Sequence, residues 1–94
     1  MLVAAICRDK PDHLETRVAA RADHLAFLAA HAHAVKLGGP LLDGEGKPVG
    51  SLLIIDCPDL AAARELLAQD PYAKAGLFAS VELTPWRRVV GAEL

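Results

Sequence analysis

Histidine is the residue type in this 94-residue chain best suited to acid–base chemistry, because its unperturbed pKa lies nearest neutrality. Four are present, and we predict that His13, His31 and His33 are solvated. His24 differs because it lies within a predicted helix, beside Leu25 at the edge of an apolar stripe, where it would be partly buried. It could exchange protons with a bound molecule, or it could be a core histidine that is hydrogen-bonded only for stability.

Asp70 is a carboxylate that could act together with such an imidazole. It precedes Pro71, and this pair is typical of an N-cap followed by the first residue of a helical turn. Backbone N–H groups that bond to a capping carboxylate keep it charged. A charged, oriented carboxylate also holds an imidazole in one tautomer and raises its basicity. The two roles are compatible.

Two arginines lie on the helix side near His24, at Arg17 and Arg21. They could bind an anionic substrate, or they could form a solvated helix face together with Glu15 and Asp23. Both alternatives stay open from the sequence alone.

Two hydroxyl groups fall near predicted element ends. Ser51 opens a predicted strand and Tyr72 follows Pro71. Each could contact a ligand, and each could equally be a strand-end or packing residue.

No metal or cofactor is expected from the motifs. His24 and His31 would be roughly 10 Å apart along a helix axis, whereas one ion needs ligands about 2 Å away. The glycines lack the strand–GxxxxGK–helix context of a phosphate-binding loop. No haem, flavin or nicotinamide signature is visible, which disfavours an oxygenase that depends on such a group.

The elements that must position these residues follow from the apolar pattern. Continuous apolar runs at 2–7 and 51–57 predict buried strands, and the alternation at 78–84 predicts a half-buried one. Between them the sequence predicts a helix over 12–35, a short strand at 40–42, a hairpin loop at 43–48, a helix over 60–69 capped by Pro58-Asp59, and a helical turn from 71. This order is that of an α+β, ferredoxin-like split β-α-β sandwich.

The long helix has two sequence signals of its own. Asp12 and Glu15 form a capping-box pattern that predicts where it starts. Its predicted apolar stripe, which we expect to face the core, comprises Leu14, Val18, Leu25, Leu28, Ala29 and Ala32.

The strands that lack alternation predict an assembly. A continuously apolar strand implies that both faces of the sheet are covered, yet two helices cover only one face. A second copy of the sheet would cover the other face. We therefore expect a homodimer that forms a dimeric α/β barrel.

Composition limits the class of protein. Hydrophobic residues make up 53% and charged residues 23%, which excludes a disordered chain. The net charge of −2 without a basic run argues against nucleic-acid or anionic-membrane binding, and no apolar stretch approaches the ~20 residues of a membrane span. Cys7 and Cys57 lie in apolar runs and are expected to be buried free thiols. With no signal-peptide pattern, we expect a single cytosolic domain over residues 1–94.

Several segments in the same order resemble YciI-like (YCII-related) proteins. Residues 17–28 look like the R-x-x-x-R-x-x-H-L-x-x-L segment of that family. The further matching segments are Gly39-Pro40, Gly50-Ser51, Asp70-Pro71-Tyr72 with Gly76, and Pro85-Trp86. Asp23 departs from the small residue often found before the histidine, and we expect its charge to point away from His24.

The resemblance implies a ferredoxin-like, dimeric α/β-barrel fold related to those of muconolactone isomerases and small monooxygenases. It also implies a catalytic His–Asp pair that faces a cleft and maps onto His24 and Asp70. The substrate-binding positions that it implies are Arg17, Pro40, Ser51 and Tyr72.

Together these features predict a small enzyme that works without a cofactor. It would use general acid–base chemistry of the isomerase or lyase type, dehydrohalogenation included, on a small and anionic cyclic molecule. The alternative is a non-catalytic metabolite-binding or accessory module in which the His–Asp hydrogen bond is structural.

Overall fold

The computed structural model describes residues 1–91, and there a four-stranded sheet carries its helices on one face. All strand pairs are antiparallel, in the order β2-β3-β1-β4. In chain order the elements are β1 (Leu2–Asp9), α1 (Leu14–Ala30), β2 (Val35–Leu42), β3 (Pro48–Asp56), α2 (Leu60–Ala68), α3 (Pro71–Lys74) and β4 (Phe78–Trp86). The α+β, ferredoxin-like fold predicted from the sequence is confirmed.

The core lies between the sheet and the helices. On β1, the alternate residues Val3, Ala5 and Cys7 are fully buried on the helix-covered face. They pair in register with Ile55, Leu53 and Ser51 of β3. Alternation along a strand sends the intervening side chains to the opposite face, where Leu2, Ala4 and Ile6 are only half-buried.

Helix α1 starts and ends differently from the prediction. Asp12 has φ +58° and is not the N-cap; His13 occupies that position without a side-chain capping bond. The helix ends at Ala30, not near residue 35, because Val35 pairs with Ile55 as the first residue of β2. Strand pairing thus overrides the helix propensity of the alanine-rich segment.

The expected packing of α1 is also wrong in part. Leu14, Val18 and Leu25 of the apolar stripe are 41%, 64% and 45% exposed. The buried residues of this helix are instead Arg17 and His24. Helix α1 therefore buries polar side chains, because each of them has a hydrogen-bonding partner in the interior.

The turns around the site follow the prediction. The β2–β3 hairpin closes through Asp43, whose carboxylate accepts from the backbone N–H groups of Glu45 and Lys47. Asp59 caps α2 and Asp70 caps α3. None of the helices described within residues 1–91 has the length and apolar character that a bilayer crossing needs.

Candidate active site

A hydrogen bond joins His24 on α1 to Asp70 at the start of α3. The distance from His24 Nδ1 to Asp70 Oδ1 is 2.8 Å, and the residues are 6% and 1% exposed. Oδ1 also accepts from the backbone N–H of Tyr72 at 2.9 Å, so the predicted cap is confirmed. Because Oδ1 acts as an acceptor, Nδ1 donates, which leaves the imidazole's lone pair on Nε2.

The second oxygen of the Asp70 carboxylate is buried and has no hydrogen-bond partner among the described residues. Its negative charge acts on the neighbouring Cys7 thiol. Burial first, and the Asp70 charge second, raise the pKa of Cys7 to about 12. Cys7 thus stays a neutral thiol behind the site at physiological pH.

The ring of Tyr72 is held against two side chains of α1. It stacks on His24 with ring centroids 3.8 Å apart and planes 14° apart, and the Arg17 guanidinium carbon lies 4.6 Å from its centroid. Residues seven apart on a helix are about 10 Å apart along its axis, which leaves room for a ring between them. Burial raises the pKa of Tyr72, although the charges of Arg17 and Arg21 oppose the shift. Its hydroxyl therefore remains a hydrogen-bond donor.

Arg17 is engaged by protein groups. Its Nε donates to Asp9 Oδ2 at 2.7 Å, and its Nη2 donates to Asp9 Oδ1 at 3.0 Å and to Ser51 Oγ at 2.9 Å. A buried bidentate ion pair of this kind occupies most of the N–H donors of the guanidinium. The solvated-face alternative for Arg17 is wrong, and Arg17 directs Ser51 as well as lying beside Tyr72.

Sequence reasoning missed Asp9. The residue ends β1, two positions beyond Cys7, within a polar segment that reads as an ordinary strand terminus. The one feature of the sequence that could have indicated Asp9 as a partner of Arg17 is its opposite charge. Only the approach of α1 to the end of β1 makes the two residues partners.

A cavity of about 370 Å³ opens between α1 and the sheet. His24 and Tyr72 lie on its wall, and Pro40 and Ser51, which pair in register across β2 and β3, line the sheet side. Most of its remaining wall is apolar and none of its lining residues is acidic. The structure thus brings all six predicted site residues together, with Asp70 directly behind His24.

Nine lining residues were not among the predicted site residues, and two of these affect the charge and the shape of the cavity. Arg21 reaches the cavity from the exposed side of α1. Gly38 lies on β2, where a Cβ atom would meet the Leu53 side chain. Because Gly38 has no side chain, β2 can pass close to Leu53 and form a flat wall of the cavity. No local sequence pattern shows that a glycine is needed at this position.

The other histidines lie outside this cavity. His13 Nδ1 donates to the Pro11 carbonyl at 2.7 Å, and His31 packs against Phe27. The rings of His31 and His33 are 6.0 Å apart. Within residues 1–91, no group of three or more histidine, cysteine or acidic side chains has the arrangement of a metal site.

Comparison with known proteins gives a family match along most of the chain. The sequence model of the YCII-related domain matches residues 1–87. Protein YciI of Escherichia coli O6:H1 is 33% identical over 97 residues, which cover 95% of this chain and 99% of that protein.

Solved structures give a match of the same extent. The 5-chloro-2-hydroxyhydroquinone dehydrochlorinase of Burkholderia phenoliruptrix AC1100, solved in complex with 2,5-dihydroxybenzoquinone, has a TM-score of 0.88 and 30% identity. The match covers 95% of this chain and 96% of that one. SnoaB, a cofactor-independent oxygenase from Streptomyces nogalater, has a TM-score of 0.56 and 18% identity, covering 97% and 95% of the two chains. This second likeness extends to the fold alone.

Proposed function

This chain belongs to the YCII-related domain family, and on that premise we propose that it is a small enzyme that moves protons on a small, anionic cyclic molecule without a cofactor. The observation that carries the proposal is the buried His24–Asp70 hydrogen bond of 2.8 Å beside an open cavity. Asp70 holds Nδ1, and no described residue bonds to Nε2. The free nitrogen is thus available to an occupant of the cavity.

In the proposed mechanism, His24 is the general acid and base and Asp70 is its positioning residue. Nε2 takes a proton from the bound ring, and Asp70 stabilises the imidazolium that forms. In an elimination the electron pair of the broken bond forms the new double bond as chloride leaves. In an isomerisation Nε2 returns the proton to another atom of the substrate.

The elimination is favoured by the dehydrochlorinase to which the chain is similar over nearly its full length. A substrate of that kind fits the cavity, because an apolar cavity of about 150 Å³ already holds benzene, and the present one measures about 370 Å³. Pro40 supplies an apolar wall, and the Ser51 and Tyr72 hydroxyls supply polar contacts. Arg17 donates to the Ser51 hydroxyl, and its guanidinium packs against the ring of Tyr72.

The alternative is a non-catalytic binding module. It is favoured by the second bond to Asp70 Oδ1, from the Tyr72 backbone, because that bond caps α3 whatever His24 does. In such a module the His24–Asp70 bond would contribute only to stability. The two functions differ in what His24 is needed for.

The test is turnover of 5-chloro-2-hydroxyhydroquinone, measured as chloride release by the wild type and by His24→Asn. The asparagine amide can still donate to Asp70, but it lacks a base at the Nε2 position. We expect turnover to fall about 10²–10⁴-fold, the usual contribution of a general acid–base group. The exposed His33→Asn is the matched control, and melting temperatures verify that both variants fold.

Two outcomes would contradict the catalytic proposal. The first is undiminished turnover in a folded His24→Asn protein. The second is a wild type that binds ring compounds but releases no chloride and isomerises none of them, with a large loss of melting temperature in His24→Asn. The second result would favour the binding module.

The proposal includes a homodimer. The sheet face opposite the helices presents apolar side chains, with Ile6 and Leu52 half-buried and Leu37 and Trp86 exposed. The described helices pack on the other face, so a second copy of the sheet is the complementary partner. Light scattering at micromolar concentration should give twice the 9.9 kDa chain mass. A monomer mass would contradict this part of the proposal.

A cytosolic location and a single domain over residues 1–94 remain predictions. The location is supported by Cys7 and Cys57, which are both free thiols. Cys57 is half-buried, less than was expected for it.

A further inference from the structure

The positive charges at the cavity are not equivalent. Arg17 is buried, and its charge is balanced by Asp9, with both side chains nearly inaccessible to solvent. Arg21, one turn further along α1, also lines the cavity, and no described residue forms an ion pair or hydrogen bond with its side chain. Its helical neighbours at the i±3 and i±4 positions include no acidic residue, so no ion pair along α1 competes for it.

The charge of the cavity therefore depends on Arg21. No acidic residue lines the wall, and the acidic Asp23 borders a separate hollow on the α3 side of the helix, together with Lys74. Because Arg17 is neutralised, an occupant of the cavity meets one uncompensated positive charge, at the rim. Arg21 also acts on the ring beside it, since its charge opposes the burial-induced rise in the pKa of Tyr72.

We infer that Arg21, and not Arg17, is the residue that binds the acidic oxygen of the substrate and selects ionised ring compounds over neutral ones. The inference rests on the proposed function and adds its substrate class: a single ring with an ionised hydroxyl or carboxyl group. Arg21 and His24 are three residues apart, so their Cβ atoms lie about 5–6 Å apart on one helix face. One ring can span that distance, with its acidic oxygen on Arg21 and its reacting atom at His24 Nε2.

The experiment compares two probes that share a ring and differ in charge. The acidic probe is 2,5-dihydroxybenzoquinone, and the neutral probe is 2,5-dimethoxybenzoquinone, which has no ionisable hydroxyl. Their dissociation constants are measured by calorimetry for the wild type, Arg21→Gln and Arg21→Lys. The matched control is Arg64→Gln, which removes the same charge from an exposed position on α2.

We expect Arg21→Gln to weaken binding of the acidic probe about tenfold, equivalent to about 1.4 kcal/mol, and to leave the neutral probe unchanged. Arg21→Lys should retain most of the affinity, and Arg64→Gln should bind both probes as the wild type does. Added salt should weaken the acidic probe in the wild type but have little effect in Arg21→Gln, because screening acts on the exposed charge that the variant lacks.

Other results would overturn the inference. Equal binding of both probes by the wild type would exclude selection of ionised compounds, and unchanged binding of the acidic probe by Arg21→Gln would exclude Arg21 as its contact. If His24→Asn nevertheless loses turnover, the proposed function stands without this inference. If the wild type binds neither probe, both the inference and the assignment of the cavity as a substrate site are wrong.

Discussion

The buried ion pair of Asp9 and Arg17 should make Asp9→Asn a severely destabilising substitution. Asparagine keeps the size of the side chain but removes the negative charge that balances Arg17. The two side chains are 7% and 6% exposed, so the guanidinium cannot recover water in its present position. Burial lowers the pKa of Arg17, but the bond to Asp9 and the Asp9 charge outweigh it and the net shift is upward. The variant loses both of these Asp9 effects, but a guanidinium titrates so far above neutrality that Arg17 still stays charged at pH 7.

The expected magnitude follows from the cost of an uncompensated buried charge. Removal of one partner of a buried pair costs about 3–5 kcal/mol. The whole stability of a domain of this length is about 5–14 kcal/mol. Because each kcal/mol shifts the melting temperature of such a domain by about 4–8 °C, the variant should melt at least about 12 °C lower.

Urea unfolding of a double-mutant cycle measures this cost. The cycle consists of the wild type, Asp9→Asn, Arg17→Met and the double variant. The double variant should be more stable than Asp9→Asn, because it buries no uncompensated charge. Glu45→Gln is the control, since the Glu45–Lys47 pair has N–O separation 3.7 Å and is well exposed, and such pairs contribute about 0–1 kcal/mol.

A loss in Asp9→Asn as small as that in Glu45→Gln would refute this reasoning. It would mean that Arg17 leaves the interior at little cost, and that the donors seen on Asp9 and Ser51 do not fix it. The assignment of the free positive charge to Arg21 alone would then lose its basis.

Three further predictions concern the core beneath the site. Burial raises the pKa of Cys7 to about 12, so iodoacetamide at pH 8 should alkylate the folded protein at Cys57 and not at Cys7. Peptide mass spectrometry measures this, and comparable labelling of both cysteines would contradict the prediction. An unfolded thiol ionises near 9.0 while the folded one keeps its proton, so stability should fall as pH rises from about 9 towards about 12, by up to about 1.4 kcal/mol per pH unit. Gly50→Ala should destabilise by about 1–3 kcal/mol in urea unfolding, because its Cβ would lie 2.5 Å from the Cys7 carbonyl oxygen. Gly44→Ala is the control and should not change the free energy of unfolding, because no atom lies within 4 Å of its Cβ position. If Gly50→Ala were as stable as Gly44→Ala, β3 could move away from β1 at no cost and the prediction would be wrong.

Local sequence patterns predict which elements form and in what order. Strand runs, the Asp43 hairpin and the caps at Asp59 and Asp70 depend on contacts between residues close in the chain, which a local pattern contains. The pairing of His24 with Asp70 was available only through the family resemblance, because 46 residues separate them.

The buried face of α1 and the roles of its arginines depend on contacts between separate elements, so local patterns do not predict them. Hydrophobic periodicity predicts that Leu14, Val18 and Leu25 point inward, yet Arg17 and His24 do so, because each finds a buried carboxylate there. A buried polar group is tolerated only where a partner satisfies it, and the partner of Arg17 is Asp9, the last residue of β1. Asp9 and Arg17 are only eight residues apart in the chain, but no local sequence pattern shows that α1 packs back against the end of β1. The different roles of Arg17 and Arg21 therefore appear only when the chain is folded.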